Sequence, residues 1–210
     1  RRGRTMSRSD GCDDLPINPL SIFKMPPPGK ITGRTSSITN SFVTSILPVV
    51  NPTADDLVDA LAVLGMTPET VVCAYCGDTK SEWDHLRPLV VGKQPTGYIS
   101  EICDLVPSCG KCNQSKANKH WLQWMSSTAR LSPTGRGVSG VEQRIERLHA
   151  YERWRQPVHL DFASVVGAEA WTRHWENCSR LHDLMRDSQA HADLLRSAMA
   201  GATTRRATAS

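Results

Sequence analysis

An α+β fold is what this sequence predicts: a small strand–strand–helix core pinned by cysteines, set between predominantly helical N- and C-terminal flanks. Three observations carry that expectation. Two Cys-x-x-Cys pairs, Cys73/Cys76 and Cys109/Cys112, bracket two strand-like runs and a turn-rich connector. Apolar residues recur at helical spacing on both sides of that stretch. No apolar run approaches the ~20 residues of a membrane span, so no transmembrane segment is expected.

In chain order, residues 1–35 read as an irregular basic arm containing Pro26-Pro27-Pro28-Gly29. The arm serves either as flexible padding or as a contact to nucleic acid phosphates. Residues 36–70 form a helical support segment. Ile38, Phe42, Ile46 and Leu47 lie near helical spacing before Pro48, although the β-branched content also allows a strand. Thr53 is placed to cap a helix with Asp55 and Asp56 in its first turn, a stripe of Leu57, Leu61 and Leu64, and a stop at Gly65.

Residues 71–130 make the core. Strands are expected over Trp83–Val91 and Tyr98–Val106, joined by the turn-rich 92–97 in a β-hairpin. A helix follows the second cysteine pair, with Ala117, Trp121, Trp124 and Met125 on one face. Residues 132–140 read as a loop or linker. In 141–200 a helix stops before Pro157, and a longer one runs from about Gly167 to Ala200 with Trp171, Trp175, Cys178, Leu181, Met185 and Leu195 on its apolar side. The last ten residues read as frayed.

Four of the seven cysteines stand in the two pairs, leaving Cys12, Cys103 and Cys178 scattered. That pattern favours metal ligation in a reducing, cytoplasmic setting over a disulfide framework. Two such knuckles supply a closed tetrahedral sulfur set for a structural Zn²⁺, which would staple the first strand to the helix. A redox role would need only one pair in a thioredoxin-like context. The formal net charge of +4 permits a polyanionic partner without requiring one.

Between and just after the pairs lie Asp84-His85, Asp104 and Asn113. A neutral imidazole can activate water near pH 7, and carboxylate and amide oxygens suit a hard divalent cation. Lys111, Lys116 and Lys119, on or near the first helical stretch, read either as solvated lysines or as contacts to phosphates.

The Cys-x-x-Cys at 73–76, DHL at 84–86, DLVPSC at 104–109 and CNQSK at 112–116 together resemble the HNH endonuclease family, the ββα-metal nucleases, over about a quarter of the chain. The resemblance implies a metal-dependent DNA endonuclease. In it His85 is the general base, and Asp84 and Asn113 are ligands to one Mg²⁺ or Mn²⁺. Lys116 is a family position. The middle motif position, usually Asn, is Asp104 here, and is expected to orient His85 through its ring N–H. DNA is the implied partner, with a homodimer through the C-terminal helices as one route to double-strand cutting. The alternatives are a zinc-stabilised DNA-binding module with weak or lost catalysis, and a protein-interaction module.

Overall fold

The computed structural model describes residues 23–208, with side chains described as far as residue 202. Most of the expected basic arm therefore lies outside the described residues, as does Cys12. Residues 23–30 carry no regular structure. The compact unit that begins at Ile31 takes in the rest of the chain, so 36–70, 71–130 and 141–200 are segments of one body.

Helices dominate, and two small sheets complete a mixed α+β architecture. A 3-10 turn at Ile31–Arg34 runs into α1 (Thr35–Thr44), which decides the helix-or-strand alternative for this stretch. The chain beyond Pro48 is extended and pairs with Ser100: the Ser100 amide donates to the Pro48 carbonyl (3.0 Å) and the Val50 amide to the Ser100 carbonyl (2.8 Å). In α2 (Ala54–Val63) the Thr53 hydroxyl accepts from the Asp56 amide, and the Asp56 carboxylate accepts from the Thr53 amide. This reciprocal box satisfies two otherwise orphaned donors.

The strands are shorter than expected. β1 (Glu82–His85) stops ahead of Pro88, which has no amide to give to a ladder. β2 (Val90–Val91) and β3 (Gln94–Pro95) form their own small hairpin around Gly92-Lys93. The expected strand over Tyr98–Val106 is broken up: Tyr98 bridges to His159, Ser100 bridges to Val49, and Ile102–Asp104 coils into a 3-10 turn. Only β4 (Leu105–Ser108) pairs antiparallel with β1, setting Asp84 opposite Val106 and His85 opposite Leu105.

The helix after the second cysteine pair is two helices. α3 (Gly110–Lys116) ends at Ala117, whose φ of 47° and ψ of −128° cannot continue it, and α4 (Trp121–Met125) restarts beyond. Trp121, Trp124 and Met125 are buried in the core with Tyr75, Leu86 and Val106, whereas Ala117 is exposed. α5 (Val141–Trp154) matches its expected span and buries Val141, Leu148 and Tyr151. The Tyr151 hydroxyl sits between the carbonyls of Ile102 and Leu105.

Residues 132–140 are a packed loop rather than a linker, with Ser132 fully buried and bonded to the carbonyls of Ser127 and Ala129. α6 (Phe162–Val166), capped by Asp161, was not expected. α7 (Ala168–Thr208) is helical well into the stretch read as frayed. It packs against α1: His174 bonds the Phe42 carbonyl, and His182 reaches the Thr39 hydroxyl. Cys178 is buried there, but Leu181 and Leu195 lie outside the packed face.

Candidate functional site

The four cysteines meet. Their ligand atoms all lie within 4.8 Å of one another, and Cys76 Sγ and Cys109 Sγ are 3.7 Å apart. A tetrahedron with metal–sulfur bonds of 2.3 Å has an edge of about 3.8 Å, so the cluster could hold a metal ion such as zinc. Backbone geometry builds both knuckles. The Gly77 amide bonds the Cys73 carbonyl, and φ of +78° at Gly77 closes the turn where a side chain would be strained. Without a cation the thiols compete. Hydrogen bonds from Cys73 and Cys76 push Cys112 far up, while Cys112 and Cys73 hold Cys76 low.

Sequence reasoning missed Arg136. Its Nη2 donates to Cys112 Sγ at 3.0 Å, which brings the 132–140 loop over the cluster. The Arg144 guanidinium lies against Gly77 in the other knuckle, Arg147 packs on Gly65, and Arg155 pairs with Asp56. Arg144 and Arg147 on α5 thus lie against other segments of the fold, and Arg155, just past α5 and exposed, is paired with an acid of α2.

Beside the cluster is a cleft of about 210 Å³ whose lining includes Asp84, His85, Asn113 and Lys116, together with Arg87 and Asn40. Asp84 is buried (6% exposed), and its Oδ2 accepts from the Tyr75 hydroxyl at 2.7 Å and from Lys116 Nζ at 3.1 Å. Burial raises the Asp84 pKa, against the pull of the Lys116 charge. His85 Nε2 lies 2.8 Å from Ser100 Oγ. Ser100 is itself held by residues 48–50, so the N-terminal segment positions the imidazole. Burial, then the Lys116 cation, lowers the His85 pKa to about 4, which keeps the ring neutral at physiological pH.

Two expectations are corrected. Asp104 does not reach His85. It is fully buried, and its Oδ1 accepts from the Arg87 amide (3.2 Å) and Arg87 Nη1 (3.0 Å), while Oδ2 has no partner. Burial raises its pKa to about 6 against the effect of Arg87. The geometric cause lies in the 3-10 turn, from which the Asp104 side chain meets the chain just past β1.

Lys116, with 1% of its surface exposed, is no outward phosphate contact: its ammonium donates to Asp84, to the His85 carbonyl (2.7 Å) and to the Ala117 carbonyl (3.3 Å). Lys111 and Lys119 are exposed, and Lys119 Nζ donates to the Ser115 carbonyl at 2.7 Å.

For a hard divalent cation the cleft offers one carboxylate and one amide. Asp84 Oδ1 has only a 3.4 Å contact to Lys116, and no hydrogen bond among the described residues engages the Asn113 side chain. Such a pair fits a Mg²⁺-class ion that keeps most of its waters. Among the described residues no helix is long and apolar enough to cross a membrane. Comparison of the chain with protein-family models, with curated proteins and with solved structures found no match.

Proposed function

We propose that the cleft hydrolyses phosphodiester bonds of DNA, as a member of the HNH, ββα-metal class of endonucleases with a structural zinc in the cysteine cluster. The observation that carries the reading is the meeting of Asp84, His85 and Asn113 in one cleft. Those residues sit on β1, which follows the first cysteine pair, and on α3, at whose start the second pair lies.

His85 is the general base. With the Nε2 proton donated to Ser100 Oγ, Nδ1 carries the free lone pair, and no group among the described residues engages it. That nitrogen takes a proton from water as its oxygen attacks phosphorus. Asp84 and Asn113 would hold a Mg²⁺ or Mn²⁺ ion, which when bound neutralises charge on the phosphate and leaving oxygen. Lys116 fixes the site by tying the Asp84 carboxylate to the backbone of His85 and Ala117. Lys111 and Lys119 are the exposed cations for flanking phosphates. Exposed Leu184 and Leu194 on α7 would serve a second copy of the chain, giving double-strand cutting.

The experiment is cleavage of supercoiled plasmid by zinc-loaded protein with Mg²⁺ or Mn²⁺, against His85→Ala and a divalent-free control. Nicking that disappears in both supports the proposal. The second reading, a DNA-binding module without cutting, is favoured by the Lys116 and Tyr75 bonds that already occupy Asp84. Salt-dependent DNA binding without cleavage in any divalent cation would select it.

A further inference from the structure

The Asp104 side chain faces Arg87, and Arg87 lines the same cleft as His85. Resting on the nuclease reading, we propose that Arg87 is the residue that grips the substrate phosphate, and that Asp104 is a positioning residue acting through Arg87 rather than through the base.

The argument begins with how the guanidinium is held. Nη1 donates to Asp104 Oδ1 at 3.0 Å, Nη2 reaches the Glu152 carbonyl at 3.5 Å and lies 3.9 Å from the Glu152 carboxylate, and the Tyr98 ring lies beneath, 5.6 Å from Cζ to centroid. Three elements thus fix one planar group: the turn before β4, the end of α5 and the chain before that turn. A guanidinium has five N–H donors, so several remain unused.

Arg87 is among the residues that line the cleft. Arg87 keeps 15% of its side chain exposed, whereas Arg136 and Arg144 each seal an unbonded Nε inside the protein. Asp104 stays wholly buried behind the guanidinium, so its charge orients Arg87 without facing an incoming phosphate. A fork of donors held in advance loses little side-chain entropy when it binds a phosphate, and suits charge growing on equatorial oxygens. The Arg87 amide also bonds Asp104, so the carboxylate fixes the backbone just after His85. The aspartate at this motif position thereby has a role that an amide, lacking charge, would fill less well.

The test compares wild type with Arg87→Gln, Arg87→Lys, Asp104→Asn and the Arg87→Gln/Asp104→Asn double variant. Single-turnover plasmid cleavage is read in Mg²⁺, and binding to a short duplex is read in Ca²⁺ across a salt series, with melting temperatures alongside. Arg87→Gln is expected to slow cleavage on the order of 100-fold. It should also flatten the logarithmic salt slope of binding by about 0.9. Arg87→Lys should restore the slope but only part of the rate. Asp104→Asn should slow cleavage by less, and the double variant should be no slower than Arg87→Gln alone, because both changes act on one group.

Multiplying effects in the double variant would return Asp104 to His85 and overturn the proposal. So would an Arg87→Gln protein with wild-type rate and slope. If wild type binds DNA but never cuts, the nuclease reading fails while the change in slope still decides Arg87. Absence of DNA binding by wild type would overturn both.

Discussion

Replacing Lys116 with methionine isolates the interaction on which the cleft depends most. The side chain is of similar length and stays apolar, but it leaves Asp84 buried with its charge uncompensated. At 3.1 Å, a unit charge pair in an effective dielectric of 20 attracts by about 5 kcal/mol. Desolvation of both ions opposes that, and breaking such a buried pair costs roughly 3–5 kcal/mol. The carbonyls of His85 and Ala117 also lose their donor. Across a domain of this size, that loss corresponds to a melting temperature lower by about 6–20 °C.

The assay is urea unfolding of zinc-saturated protein followed by tryptophan fluorescence, since Trp124 packs edge-on against Tyr75, the residue bonded to Asp84. Asp84→Asn should be destabilising, and Lys116→Met/Asp84→Asn should be less destabilised than the two singles added, by about 2–3 kcal/mol. The neutral amide can still accept from Tyr75. A Lys116→Met protein within about 1 kcal/mol of wild type would refute the reasoning, as would an additive cycle.

Three further outcomes are expected. Purified protein should carry one zinc per chain by elemental analysis, and Cys112→Ser should lose it and unfold at lower urea; full stability without metal would exclude a structural site. His85, lowered to about 4 by burial, is protonated more readily in the unfolded chain, so its contribution to stability is complete above about pH 6.5 and is lost as pH falls toward 4. Wild type should therefore lose about 1–2 kcal/mol more than His85→Gln between pH 7 and 5, and equal losses would contradict the shift. Ala117→Gly, relieving φ of 47° and ψ of −128°, should stabilise the protein by about 1 kcal/mol in the same unfolding assay, and destabilisation would mean the conformation is unstrained.

Local chemistry made part of the structure legible in the sequence. The cysteine spacing located the cluster, Thr53 located the N-cap of α2, and the end of α5 could be set by Pro157. What escaped depends on groups far apart in the chain. Lys116 looks like any helix lysine until Asp84, 32 residues earlier, is placed beneath it. Asp104 looks like a partner for histidine until the 3-10 turn hands it to Arg87. The run Tyr98–Val106 has strand-like residues, yet its first half pairs with residues 49 and 159 rather than with β1. Periodicity cannot reveal which neighbour a strand will have. Arg136 gave no signal because its partner is a sulfur 24 residues away across a loop.

The Tyr151 hydroxyl, set between the carbonyl of Ile102 in the 3-10 turn and that of Leu105 just after it, has a consequence for the order of events during synthesis. All four cysteines precede it by roughly 40 residues or more. At about 5–20 residues per second a ribosome needs roughly 2–8 s to add that stretch. A growing chain could thus capture a metal at these cysteines while the turn that carries Asp104 still lacks its brace, and such loading would then precede assembly of the cleft. Arrested chains ending near residue 165 should retain zinc no better than those ending near residue 145, once both have cleared the ribosome. Protection of the Asp104 turn from proteolysis should appear only in the longer ones. Protection in both would mean that the turn forms without α5.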